Sequence, residues 1–207
     1  MADPREIRLA GTTLGRARHV SAFFHDKTEE LRVLLPFIRE GFEQGDRIFQ
    51  IMSADLRNEH LERLRQAGVD VKAAQASGQL VLKSWDEAYL RGGRFDQDAM
   101  LAFLKETLDE GRARGFPRTR LIADMEWALE GLPGVHDVVE YEARVDELLA
   151  AYEDPVLCTY DTSKFGGRIV IDVMRTHPVV IVGNTLHENP FYVPPREFLK
   201  ELQSRSK

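Results

Sequence analysis

The stretch Arg18-His-Val-Ser-Ala-Phe-Phe-His-Asp-Lys-Thr-Glu-Glu-Leu31 constrains the fold most strongly. His19 to Phe24 is an apolar run of strand length, and it ends in a short polar turn. From Thr28 the period changes, with Leu31, Leu34, Leu35, Ile38 and Phe42 at helical spacing. Buried strand, tight turn and amphipathic helix together make the opening unit of a nucleotide-binding α/β fold. The turn, however, lacks the glycines that let a phosphate approach backbone amides. Ser21 and Asp26 stand where a G-x-x-x-x-G-K-[ST] loop needs glycine, although Lys27 and Thr28 match its last two letters. Glu29 and Glu30 then place carboxylates at the positive end of the helix dipole. The expectation is a phosphate-binding scaffold with its phosphate site closed, suited to binding or sensing more than to ATP hydrolysis.

Strands and helices continue to alternate along the chain. Apolar runs at 47–52, 79–83, 120–124, 155–160 and 178–182 read as strands, and Ile7-Arg-Leu9 as a weaker edge strand. Helical periodicity follows at 56–64, 96–115, 134–152 and 167–176, with a short helix or turn at 71–76 and a last helix opening at Pro194-Pro195. Asp26 and Glu29 have capping-box spacing. Pro36 should kink the first helix or start its main body. Runs this uniformly apolar indicate a mostly parallel sheet covered on both faces. No Pro/Ser linker divides the 207 residues, so one three-layer domain is expected, with 1–17 as an N-terminal extension.

Composition narrows the functional classes. A net charge of −6 without a basic stripe disfavours direct nucleic-acid binding. The N-terminus has no apolar signal segment, and no run is long enough to span a bilayer, so a cytoplasmic location and no membrane partner are expected. The single cysteine, Cys158, excludes an intrachain disulfide and fits a reducing compartment. It lies mid-strand, where it reads as inert packing.

In an open parallel sheet, ligands bind beyond the carboxyl ends of the strands. There the sequence offers Phe24, His25, Trp85, Glu126, Trp127, Tyr160 and Asp161, a set rich in aromatics and carboxylates that could wall a pocket for a small, weakly polar molecule. Each has a structural alternative: His25 as a strand-end cap, Trp127 as core, Glu126 as a first-turn acid, and Tyr160-Asp161 as a turn pair. Asp124 occupies the place of the acid that orients magnesium in P-loop proteins, but without a phosphate cradle no metal centre and no cofactor are expected. His19 and His177 read as structural hydrogen-bonders. Gly92-Gly93 between Arg91 and Arg94 reads as a flexible loop.

The run His19-Val-Ser-Ala-Phe-Phe-His25, then Leu34-Leu-Pro-Phe-Ile-Arg-Glu-Gly41, resembles the MEDS domain, a DcmR-like sensory domain of methanogen and methylotroph regulators. So do Tyr89-Leu-Arg-Gly-Gly-Arg-Phe-Asp96, Met125-Glu-Trp-Ala128, Glu140-Tyr-Glu142, Tyr160-Asp161, Thr176-His-Pro178 and Asn189-Pro-Phe-Tyr192. The family's recurring positions fall on His19, Glu126, Trp127, Tyr160, Asp161 and His177. Ser21 stands where many members have cysteine. The order of elements also resembles the RecA/KaiC group with its phosphate loop lost.

The resemblance implies signal transduction or transcriptional control, with sensing of small hydrocarbon derivatives. Signalling is then expected to pass through a separate regulatory protein or by homodimerisation. Two alternatives stand beside this reading. One is a small-molecule enzyme using Glu126, His25 and Asp124 as an acid–base set. The other is a ligand-free interaction module.

Overall fold

The computed structural model describes residues 6–205. Its main sheet has seven strands in the order β5-β4-β6-β7-β3-β8-β9. These are β3 (His19–Phe24), β4 (Arg47–Met52), β5 (Leu80–Ser84), β6 (Thr119–Asp124), β7 (Val156–Asp161), β8 (Val179–Val182) and β9 (Thr185–Glu188). All neighbours pair in parallel except β8 with β9. Every residue of β3 and β6 is buried, which accounts for their unbroken apolar reading.

Helices cover both faces. On one side α1 (Lys27–Glu43), α2 (Arg57–Gln66) and α3 (Val71–Ser77) bury Leu34, Phe37, Ile38, Leu64 and Val71 against Val20, Ile48, Ile122 and Leu157. On the other, α4 (Gln97–Ala113), α5 (Val138–Leu149) and α6 (Gly167–Thr176) bury Leu104, Leu108, Tyr141, Val145 and Val173 against Phe49, Leu121, Ala123 and Cys158. The last helix, α7 (Pro195–Arg205), lies against α5 and α6.

Local chemistry sets the element ends. The Asp26 carboxylate accepts from the Glu29 amide at 2.8 Å, while Glu29 reaches back to the His25 amide at 2.7 Å. This is a capping box displaced by one residue at its return arm. Pro36 does not divide α1, contrary to the sequence expectation. Its ring lies on the exposed side, where the carbonyl of Arg32 that loses its partner can turn to water. Gly41 permits close docking of α1, since a Cβ there would sit 2.6 Å from Ile48 Cδ1 and 2.8 Å from Arg120 Cδ.

Three features depart from the sequence reading. The expected N-terminal edge strand instead forms a separate hairpin, β1 (Arg8–Leu9) with β2 (Thr12–Thr13), packed on α1 through an Arg8 amide bond to Glu40. Residues 1–5 of the expected extension lie outside the described residues. The antiparallel strand β9 was not expected; it follows a turn in which Gly183 and Asn184 both take positive φ, the geometry of a two-residue hairpin loop. Finally, the turn-rich 89–96 segment is half core: Tyr89, Leu90 and Phe95 are buried while its arginines and glycines face outward.

Candidate functional site

The carboxyl edge of the sheet carries an ion network instead of a phosphate cradle. Lys27 Nζ lies 2.9 Å from Glu30, 3.4 Å from Asp124 and 3.6 Å from Glu126. Burial alone would favour the neutral amine, but Glu30 and Asp124 outweigh it and hold the Lys27 pKa above its ordinary value. Lys164 completes the network, 2.6 Å from Glu126 and 3.8 Å from Asp161. Burial pushes Asp124 up to about 6, against the pull of Lys27.

Behind Lys27 and Asp124 a recess of about 130 Å³ opens between α1, α2 and the ends of β4 and β6. Leu34, Ile51, Met52 and Leu56 supply its apolar wall. Gln50 and His60 supply a polar pair, with His60 Nε2 and Gln50 Oε1 2.6 Å apart. Burial, with Arg63 adding to it, lowers the His60 pKa to about 4, so the ring is neutral at pH 7. The short bond then fixes the tautomer: the proton sits on Nε2 and is donated to the amide oxygen.

The residues singled out from the sequence divide among three environments. Glu126 and Asp161 meet at Lys164, on the rim. His25 is exposed, its Nδ1 3.0 Å from Thr162 Oγ1. Phe24 is core on the α1 side. Trp127 is fully buried on the opposite side, stacked on Tyr89 (4.5 Å, 12°) and 4.4 Å from Phe95. Half-buried Trp85 packs against that same layer. Tyr160, also buried there, donates to Glu142 Oε1 at 2.7 Å. Phe24 and Trp127 thus lie on opposite faces of the sheet, and neither belongs to the recess.

Sequence reasoning passed over Gln50 and His60. A signal existed, because Gln50 is the one uncharged polar residue in the run Arg47-Ile-Phe-Gln-Ile-Met52, and a polar side chain in a doubly covered strand needs a partner. It also passed over a wholly buried group, His19, Glu142, Cys158 and His177, which four separate segments bring together beneath α5. No local spacing could reveal that cluster.

A mostly parallel sheet with helices on both faces, and a strand–turn–helix at its centre, defines a RecA/KaiC-type α/β domain. A KaiC-like protein of the hyperthermophilic archaeon Pyrococcus horikoshii superposes with a TM-score of 0.57 at 16% identity, over 83% of this chain and 73% of that one. The chain belongs to the MEDS family, described as the methanogen/methylotroph DcmR sensory domain, whose model matches residues 18–178. It is 27% identical over 174 residues to the transcriptional repressor DcmR of Methylorubrum extorquens, covering 83% of this chain. The chain spans 62% of the length of that relative. Membership of this family gives the domain a sensory, regulatory role. Among the described residues, no helix is long and apolar enough to cross a membrane.

Proposed function

We propose that the domain senses a small, weakly polar organic molecule held in the recess beside α1. The observation that carries this reading is that Lys27 and Asp124 belong both to the recess and to the rim ion network. An occupant therefore touches the groups whose arrangement a partner can read. About 130 Å³ suits a molecule of a few heavy atoms, since a 150 Å³ cavity accepts benzene. Leu34, Ile51 and Met52 supply apolar contact, and the neutral His60–Gln50 pair orients one polar group of the ligand.

The same rim argues against a triphosphate. The ammonium that would meet it is engaged by three carboxylates, and the turn before α1 is closed by Asp26 and Glu29. Binding shifts the balance between two arrangements of the Lys27–Asp124–Glu126–Lys164 network. A regulatory protein, or an output domain of the kind the longer repressor relative has room for, reads that balance.

A thermal-shift and calorimetric panel of short-chain alcohols, ketones and halogenated alkanes tests the proposal. At least one should stabilise the wild type in proportion to its occupancy. Met52→Trp, which fills the recess from its half-exposed edge, should abolish that response while leaving the circular dichroism spectrum unchanged. Equal ligand response in the filled variant would remove the recess from consideration.

A further inference from the structure

The buried group beneath α5 has the composition and spacing of a metal centre. We propose that His19, Glu142, Cys158 and His177 bind one divalent transition metal ion, with zinc as the preferred occupant. The four residues offer two imidazole nitrogens, one thiolate and one carboxylate, the donor set that borderline-soft Zn²⁺ selects. Their ligand atoms lie within 4.8 Å of one another. Glu142 Oε2 is 3.2 Å from His19 Nε2, 3.4 Å from His177 Nε2 and 3.6 Å from Cys158 Sγ, and Cys158 Sγ is 3.7 Å from His19 Nε2. Four ligands at bond lengths of about 2.0–2.3 Å on a tetrahedron stand roughly 3.3–3.8 Å apart. The observed separations match those edges.

The surroundings orient each donor inward. His177 Nδ1 lies 2.8 Å from the Val173 carbonyl, so Nδ1 carries the hydrogen and Nε2 keeps its lone pair. That nitrogen is fully buried, has no hydrogen-bond partner among the described atoms, and faces the Glu142 carboxylate. Two acceptors facing each other in a dry interior are unfavourable, and a cation between them removes the conflict. His19 Nδ1 faces Asp146 Oδ1 at 3.6 Å, and Tyr192 donates to the other Asp146 oxygen at 2.6 Å. Tyr160 holds the outer oxygen of Glu142. Backbone carbonyl to histidine, carboxylate to histidine and hydroxyl to carboxylate are the outer contacts that position metal ligands.

Charge balance agrees. Thiolate, carboxylate and two neutral imidazoles cancel a divalent ion within a site where all four side chains are buried. With four protein donors, the site is closed, which fits a structural role. It ties α5 to β3, β7 and the residue leading into β8. Loading displaces the Cys158 thiol proton, which leaves to solvent as the sulfur–metal bond forms.

The competing state is a proton-filled cluster, with His19 as an imidazolium between Glu142 and Asp146. Cobalt titration of the full chain separates the two. Cys158 is the only cysteine, so a thiolate-to-cobalt charge-transfer band can arise from no other residue. Chain purified without a metal-affinity step should carry about one zinc ion. After chelation it should lose thermal stability, and with Co²⁺ it should show that band together with intense tetrahedral d–d absorption.

Tyr160→Phe, which frees Glu142 without touching the donors, should lower zinc affinity about 10–100-fold. A folded wild type that arrives without zinc and yields no thiolate–cobalt band overturns the proposal. So does cobalt absorption lacking that band, which would mark adventitious surface sites. All of these wild-type readouts stand if a ligand variant fails to fold.

Discussion

At the residue scale, burial decides what a side chain is for. Trp127 and His60 illustrate opposite errors of sequence reading. Trp127 follows a strand end next to an acid, a setting that suggests a ligand wall, yet its indole is stacked between Tyr89 and Phe95. Trp127→Ala should cost about 3–5 kcal/mol in a urea melt. His60 lies in a highly polar helix and attracts no attention in the sequence, yet it is a neutral group on the recess wall. Its folded-state pKa of about 4 lies below the unfolded value of 6.5. Between those values the unfolded chain holds the proton and the native one does not, so the His60 contribution is complete above pH 6.5 and is lost as pH falls towards 4. Comparing wild type with His60→Gln across that window should show a difference of up to about 3 kcal/mol. A parallel pH profile for the two proteins would contradict the depressed pKa. Asp124, raised to about 6, acts with the opposite sign: its contribution shrinks as pH climbs from about 4 to 6.

At the element scale, most of the architecture was legible. Doubly covered strands advertise themselves as continuous apolar runs, and the helices between them carry clear periodicity. Element ends were less so. Pro36 looked disruptive because its missing donor is a local fact, whereas the tolerance of the exposed side is a tertiary one. Strand β9, Thr-Leu-His-Glu, carries one apolar residue in four and is detectable only through the Gly183-Asn184 turn before it. The 89–96 segment looked solvated because its arginines and glycines outvote two aromatics that turn out to be anchors. Gly41 gives an element-level test. Gly41→Ala would drive a methyl into Ile48 and into Arg120, whose guanidinium is itself fixed at 2.7 Å from buried Asp46. Since neither neighbour can swing aside, the denaturation midpoint should fall by the equivalent of about 1–3 kcal/mol with an unchanged m-value.

At the scale of the whole molecule, the comparison with the KaiC-like structure is one of architecture alone, and the rim chemistry differs from what a nucleotide needs. The prediction is that ATP with magnesium produces neither heat nor a thermal shift at micromolar concentration. Nucleotide protection of the turn at 25–28 in hydrogen exchange would defeat it. What the sequence could not disclose is convergence. The recess takes Gln50 from one strand and His60 from a helix ten residues on, and the buried cluster draws on positions 19, 142, 158 and 177. Periodicity reports which face a residue occupies, never which distant residue shares its neighbourhood.

The Gly183-Asn184 reversal carries a consequence for self-association. By folding a short, polar ribbon back along β8, it seals the flank where another chain could otherwise add strand to strand. A second copy joining there would first have to displace that ribbon, so pairing of these domains should proceed through helical faces, leaving the sheet at seven strands however many molecules assemble.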